Sequence, residues 1–235
     1  MNILIFTKDL EEYSPFIGKV LQFAGDVRII YTDDHPKKKD ISWPSFLQSC
    51  KNFSPDLIIS FYYNKIIQDE ILAIANLAVN FHGSLLPNYA GAHALNWQII
   101  NGEKQSGVTI HELTSTVDGG RIISQDSFRI EFNDTANDVL KKGIFCATKM
   151  LEGFFEDYKC GMIRMYQQVP DGTEFSCANR KVEAGEITKD MDHVSAYNMI
   201  RALVDPWPGA FYYDEEGQKI VIKEYLTLDE VKELM

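Results

Sequence analysis

No stretch of the 235-residue chain approaches the roughly 18 consecutive apolar residues that a membrane-spanning helix needs, so no membrane span is expected. The opening MNILIFTKDLEEY has neither a basic leader nor an apolar run long enough for a secretion signal, and none is expected either. Basic charge is scarce: 23 Lys and Arg stand against 34 Asp and Glu, a formal net charge of −11. That balance argues against a nucleic-acid partner, because phosphate backbones are held by clustered cations. The one basic run, Lys37 to Lys39, reads as a solvated loop. Cys50, Cys146, Cys160 and Cys177 show no paired C-x-x-C spacing, which points to a reduced, cytoplasmic protein. No residues have metal-ligand spacing, so no metal is expected. There is no internal repeat and no low-complexity segment. After the first strand there is no G-x-G-x-x-G, only Thr7-Lys8-Asp9, which argues against a dinucleotide site.

What is present is an alternation of β-prone runs and helical segments. Asn2 to Thr7 is a continuous apolar run of the kind buried on both faces of a sheet. Ser14-Pro15 reads as a cap and first turn of a helix that Gly25 stops, and Val27 to Thr32 is a second strand. A helix near Pro44 to Asn52, a strand over Leu57 to Phe61, a short helix over Glu70 to Ala75 and a strand from Leu77 continue the pattern. The expected fold is α/β, a Rossmann-like, mostly parallel sheet flanked by helices. Asp134 reads as the cap of the longest helix, Thr135 to Lys159, whose apolar positions cover the sheet. Beyond Gly161 the strands shorten. A helix over Asp192 to Val204, the block Asp205-Pro206-Trp207-Pro208-Gly209 and a hairpin over Ala210 to Leu226 form a small β-rich appendix. The expected division is residues 1–185 as the main unit and 186–235 as a small helix-plus-hairpin unit.

Chemistry concentrates between Leu77 and Gln125. The run Leu77 to Phe81 reads as a buried strand ending in polar Asn80, His82 and Ser84. A second strand, Gly107 to Leu113, feeds a loop with Asp118, Gly119 and Gly120. Two strand ends then bring an amide, an imidazole and a carboxylate to one mouth, where open α/β sheets bind ligands. These are the right groups for acyl transfer to an amine. The amide and imidazole N–H groups can hold a tetrahedral oxyanion, while the carboxylate fixes the imidazole and takes the amine proton. His111, in the second strand, reads as a buried hydrogen-bonder and not as a metal partner of His82.

The run Asn80-Phe81-His82-Gly83-Ser84-Leu85-Leu86-Pro87, with Gly107-Val108-Thr109-Ile110-His111 and Asp118-x-Gly120, resembles the folate-dependent formyltransferases. The resemblance is densest from Phe61 to Gln125. It returns at Asn198 to Ala202 and at Asp205 to Ala210, segments shared with the methionyl-tRNA and aminosugar branches. It implies catalytic roles for Asn80, His82 and Asp118, with 10-formyltetrahydrofolate as formyl donor. It further implies donor contacts from Lys65, Ile66 and Ile67 and from the loop Thr114, Ser115, Thr116, Val117 and Asp118. Relatives often carry arginines after the tyrosine that this chain has at Tyr89, whereas here the segment reads Tyr89-Ala90-Gly91-Ala92.

The branch implied is that of sugar-nucleotide N-formyltransferases, acting on a nucleotide-linked aminosugar, most specifically dTDP-4-amino-4,6-dideoxyglucose for a surface polysaccharide such as lipopolysaccharide O-antigen. Other amine acceptors stay open: UDP- or GDP-aminosugars, a dTDP-3-aminosugar, methionyl-tRNA or glycinamide ribonucleotide. So does a non-catalytic folate- or nucleotide-binding module. Lys8, Asp9 and His93 are the candidate substrate contacts, with Arg201 a further diphosphate donor. A homodimer through the Ala210–Leu226 hairpin is expected, since a lone two-stranded hairpin is marginal in water.

Overall fold

The computed structural model describes residues 1–34, 42–177 and 181–235. Lys37 to Lys39 and Arg180 lie outside the described residues. The chain opens with β1 (Asn2–Thr7), α1 (Ser14–Leu21), β2 (Asp26–Tyr31), α2 (Trp43–Phe53), β3 (Leu57–Phe61), α3 (Asp69–Leu72) and β4 (Leu77–His82). It continues through the two-residue β5 (Ala90–Gly91), then α4 (Ala94–Ile100), β6 (Gln105–Glu112), β7 (Ile122–Arg129) and α5 (Ala136–Lys159). The last part holds β8 (Ser176–Cys177), α6 (His193–Ala202), β9 (Ala210–Tyr213), β10 (Lys219–Ile222) and α7 (Leu228–Leu234).

Six strands form one sheet in the order β2-β1-β3-β4-β6-β7. The first four pair in parallel, and β6 alone runs against its neighbours. The fold is therefore a Rossmann-like, mostly parallel sheet flanked by helices, with a small antiparallel C-terminal hairpin. Because strand side chains alternate, each central strand feeds two cores. Ile3, Ile5, Leu57, Ile59, Phe61, Val79 and Phe81 pack with α1 and α5, whereas Leu4, Phe6, Ile58 and Ala78 pack with α2 and α3. A third core joins α4, the start of α5, α6, Ala210 and Val231, so the C-terminal elements share their interior with the main sheet's helices. Among the described residues no helix is long and apolar enough to cross a membrane.

Three helix boundaries depart from the sequence reading. Ser14 is the first residue of α1, and the cap position falls to Tyr13, which makes no side-chain cap bond. That helix ends at Leu21, ahead of the expected stop at Gly25. The cap of α5 is Thr135, not Asp134: its hydroxyl accepts from the Asp138 N–H while the Asp138 carboxylate accepts from the Thr135 N–H, a reciprocal capping box. Asp134 instead accepts from the Glu131 N–H and from Lys142 Nζ at 2.5 Å. A carboxylate one residue too early found a lysine two turns into the helix.

Candidate active site

Asn80 and His82 are two residues apart on β4 and so share one face of the sheet. The register sets Asn80 opposite His111 and His82 opposite Thr109 on β6. Ala78, of the same parity, belongs to the α2–α3 core, which identifies the face. The sequence reading placed the Asp118 loop at a shared carboxyl mouth. Because β6 is antiparallel to β4, the loop leaves instead beside Val79, and it brings Asp118 back to the groups on β4 and β6.

Asp118 lies among four donors and rings. Its Oδ2 accepts from the Gly91 N–H at 2.8 Å and lies 3.4 Å from His82 Nδ1. Its Oδ1 lies 3.4 Å from Asn80 Nδ2 and 3.5 Å from His111 Nε2. Each ring is pinned on its far side. His82 Nε2 donates to the Tyr89 carbonyl at 2.8 Å and His111 Nδ1 donates to the Glu112 carbonyl at 2.9 Å, which makes these the N–H-bearing nitrogens of the two rings. His111 Nε2 is left to accept from Asn80 Nδ2 at 3.1 Å.

The side-chain contacts to Asp118 are longer than the usual N–H···O range of about 2.7–3.2 Å. The cluster is thus firm at its perimeter and loose around the carboxylate. His82 Nδ1 and Asp118 Oδ2 are two acceptors facing each other, so a proton placed between them would turn a repulsive contact into a charge-assisted hydrogen bond. Burial drives the His82 pKa below its ordinary value, against the opposing pull of Asp118 and the Tyr89 carbonyl. Burial pushes Asp118 up, but the facing His111 and His82 imidazoles and the Gly91 N–H outweigh it and hold the carboxyl below its ordinary value. A neutral imidazole beside an ionised carboxylate is a pair short of one proton.

The surrounding loops are tied down. Thr109 Oγ1 donates to the Ser84 carbonyl at 2.6 Å and accepts from the Leu86 N–H and from Gln125 Nε2, while Gln98 Nε2 holds the Gly83 carbonyl. A short parallel pairing of β5 with β8 straps Tyr89–Gly91 across the cluster. Gly91 has φ +109°, and a Cβ there would stand 2.4 Å from the Cys177 carbonyl oxygen, so only glycine lets the strap close and present its N–H to Asp118. At Gly120 a Cβ would come within 1.8 Å of the Glu112 carbonyl oxygen. Gln168 Nε2 donates to the carbonyls of Asp118 (2.6 Å) and Gly120 (2.8 Å). Tyr89, His93 and Asp118 take positive φ values of 59°, 60° and 49°, each costing on the order of 1 kcal/mol for a side-chain-bearing residue. Such strain persists only where the surroundings over-determine it, as they do here.

Of the candidate donor contacts, Ile67 packs into the same α2–α3 core, as does Leu113, which leads into the Thr114–Asp118 loop. That core roots both segments, while Ile66 and Val117 beside them are 69% and 65% exposed. Lys65, Thr114, Ser115 and Thr116 are exposed as well. Lys8 is half-buried and Asp9 exposed just beyond β1, two strands from β4, and no hydrogen bond or ion pair among the described residues joins either to the cluster. Burial lowers the Lys8 pKa. His93 is exposed at the head of α4, two residues after Gly91. Arg201 does not serve as a diphosphate donor: it is buried in α6, where Nη1 donates to the Asp134 carbonyl and Nε to Asn198 Oδ1. The cluster also holds groups outside the sequence reading: His111 as a partner of both Asn80 and Asp118, the Gly91 N–H, the Tyr89 carbonyl and Gln168. For His111 a signal existed, since alternation along β6 puts it on the same face as Thr109. Gln168 lies in an irregular segment that carries none.

Sheet, strap and cluster define an α/β protein with an amide, two imidazoles and a carboxylate gathered on one sheet face. The formyl transferase family model matches residues 22–152, more than half of the chain, and the chain belongs to that family. It is 37% identical over 200 residues to the bifunctional polymyxin resistance protein ArnA of Wigglesworthia glossinidia brevipalpis. That alignment takes in 84% of this chain but only 30% of ArnA, so the chain spans about a third of that relative. A sugar N-formyltransferase from a Shewanella species superposes with a TM-score of 0.73 at 20% identity, covering 97% of this chain and 98% of that one. HypX from Aquifex aeolicus in complex with tetrahydrofolic acid gives 0.76 at 18% identity, covering 93% of this chain and 36% of that one. At these identities the two structures are similar in fold.

Proposed function

We propose that the chain transfers a formyl group from 10-formyltetrahydrofolate to the amino group of a nucleotide-linked aminosugar. The observation that carries this reading is the placing of Asn80 Nδ2 and His82 Nδ1 each 3.4 Å from an oxygen of the Asp118 carboxylate, in a member of the formyl transferase family. A neutral substrate amine attacks the formyl carbon, a C–N bond forms and the carbonyl oxygen becomes an oxyanion. The Asn80 amide, only loosely committed to Asp118, donates to that oxyanion. The amine's proton passes to the His82–Asp118 pair, which lacks one, and a protonated His82 adds charge stabilisation. Collapse breaks the bond from the formyl carbon to folate nitrogen, and the pair's proton goes to that nitrogen. The products are the N-formyl sugar and tetrahydrofolate.

Asn80, His82 and Asp118 are the catalytic residues of this proposal. The donor lies against Lys65–Ile67 and Thr114–Val117, with exposed Ile66 and Val117 offering apolar contact to its rings. Support for these contacts comes from the shared root of the two segments, and support for a folate-type donor from a fold relative, HypX, solved in complex with tetrahydrofolic acid. For the acceptor we single out dTDP-4-amino-4,6-dideoxyglucose. With Arg201 committed elsewhere, Lys8, Asp9 and His93 are the substrate contacts, and so few cations suit a diphosphate better than a phosphate-rich acceptor. Residues 1–185 act as the catalytic unit and 186–235 close its helical side and form a homodimer, in the cytoplasm. The test is the mass of the products after incubation with 10-formyltetrahydrofolate and a panel of nucleotide-linked aminosugars. One sugar gaining the mass of CO is expected; turnover on glycinamide ribonucleotide alone would refute the sugar assignment, and none on any amine would refute the activity.

A further inference from the structure

On the opposite side of the sheet from the cluster, a groove of about 580 Å³ runs between β7 and α5. Small-molecule sites commonly measure about 300–1,000 Å³. Its apolar surface comes from Ile123, Met150 and Phe154, and its polar surface includes Lys149, Arg164 and Asp157. Met162 and Tyr166, which also line it, are 59% and 58% exposed, large apolar surfaces that folding leaves uncovered.

Two independent features suggest an occupant. The first is Gly153, which lies inside the 24-residue α5, where glycine costs about 0.5–1 kcal/mol relative to alanine. A Cβ at Gly153 would meet nothing within 4 Å, so the packing of this chain does not demand the gap it leaves. Gly143, about three turns earlier in the same helix, differs: its Cβ would stand 3.0 Å from the Tyr62 hydroxyl. The bare backbone at Gly153 thus widens the groove without serving the core. The second feature is charge. In a chain of net charge −11, the groove carries two cations to one carboxylate. Lys149 is shared with Asp126 at 3.8 Å, and among the described residues Arg164 has no ion-pair partner within 4.0 Å.

We infer that this groove is a second ligand site, for a small amphipathic anion with an aromatic or aliphatic body against Phe154, Met150 and the Gly153 backbone, and one carboxylate, sulfonate or phosphate against Arg164 and Lys149. The inference does not rest on formyl transfer. Its probe is 8-anilino-1-naphthalenesulfonate, an aromatic body with one anionic group, titrated into the folded full chain and read by fluorescence. One saturable site is expected, with affinity falling about tenfold or more in Gly153→Leu, which fills the gap, and in Arg164→Glu, which reverses the charge. Gly18→Leu, on α1 with equally open space, serves as the control and leaves binding unchanged. Circular dichroism checks folding, and Arg164→Glu alters an exposed side chain should the leucine perturb α5. The uncharged N-phenyl-1-naphthylamine is expected to bind at least about tenfold more weakly. Equal binding of the two probes, or fluorescence indifferent to both groove substitutions, overturns the site. Conversion of a dimer to a monomer by Gly153→Leu would make the groove a contact between copies and overturn it as well.

Discussion

Asp118 is the residue on which the cluster converges, and its surroundings decide what removing its charge does. Asp118→Asn keeps the shape but cannot accept the amine proton, so we expect kcat/KM to fall at least about a hundredfold, as it should for Asn80→Ala and His82→Ala, with the circular dichroism spectrum unchanged. Near-normal turnover of Asp118→Asn in a stopped assay would remove the proton acceptor from the mechanism. His111 acts one step back, as a positioning residue that accepts from Asn80 and faces Asp118. His111→Leu leaves the Asn80 amide without its firmest partner, so kcat should fall about tenfold or more while KM for the formyl donor changes little. A loss confined to KM would show that His111 does not orient the amide. Asn80, His82 and Asp118 stood out in the sequence through the resemblance of their segments to the formyltransferases, since a histidine after a strand or an Asp-Gly-Gly turn is ordinary by itself. His111 did not stand out, because a buried histidine on a strand has an ordinary structural explanation until its neighbours are known.

Acid should destabilise the protein through the same residues. The folded pKa of Asp118 lies below its unfolded value, so its stabilisation is complete above the unfolded value and is lost as pH falls through the folded one. The folded pKa of His82 lies below its ordinary 6.5, so the unfolded chain takes up that proton first and stability falls as pH drops through the unfolded value. Both effects lower stability on acidification. Tm should therefore decline between about pH 7.5 and about pH 5.5, and His82→Gln should flatten that decline. An identical slope in the variant would mean that His82 is not buried in its neutral form.

At the scale of elements, the strap and the Asp118 loop hold the cluster together, and both depend on glycines with no room for a side chain. Gly91→Ala sets a methyl against the Cys177 carbonyl and Gly120→Ala sets one against the Glu112 carbonyl, so in each the backbone must move where Asp118 is held. We expect each to lower Tm and to reduce turnover about tenfold or more. Gly18→Ala in α1 meets nothing and should instead stabilise by about 0.5–1 kcal/mol in urea unfolding. Full activity in Gly120→Ala would show that the loop tolerates displacement of Asp118. The main strands were readable because their apolar runs are long, and α5 because its period is sustained. β5 and β8 were not, being two residues each and defined wholly by one another. The direction of β6 was also hidden: periodicity shows that a strand exists, not which way it runs, and the antiparallel turn is what carries the Asp118 loop back beside Asn80 and His82.

For the whole molecule, the open question is what covers the C-terminal hairpin. Part of its apolar surface is already used: Ala210 and Phe211 are buried, and Tyr212 and Ile222 pack against the core shared with α4 and α6. The Ile187 N–H donates to the Phe211 carbonyl, so β9 has a neighbour on its far side as well. That leaves β10 as the outer strand of its two-stranded sheet among the described residues, with Tyr213, Ile220, Val221 and Tyr225 between 38% and 48% exposed. An uncovered strand edge beside an apolar patch is a template for pairing, and in a homo-oligomer the simplest closed arrangement is a two-fold that sets the same edge against itself. A stable interface of that kind buries about 1,200–2,000 Å² in total, more than a four-residue strand supplies, so the neighbouring Tyr225 and Tyr213 must contribute. Equilibrium sedimentation at about micromolar concentration should therefore give twice the chain mass. Val221→Asp, which places a charge on the exposed strand without touching the core, should give the single-chain mass and keep the circular dichroism spectrum. A wild-type monomer, or a dimer indifferent to Val221→Asp, would place any contact between copies elsewhere on the molecule.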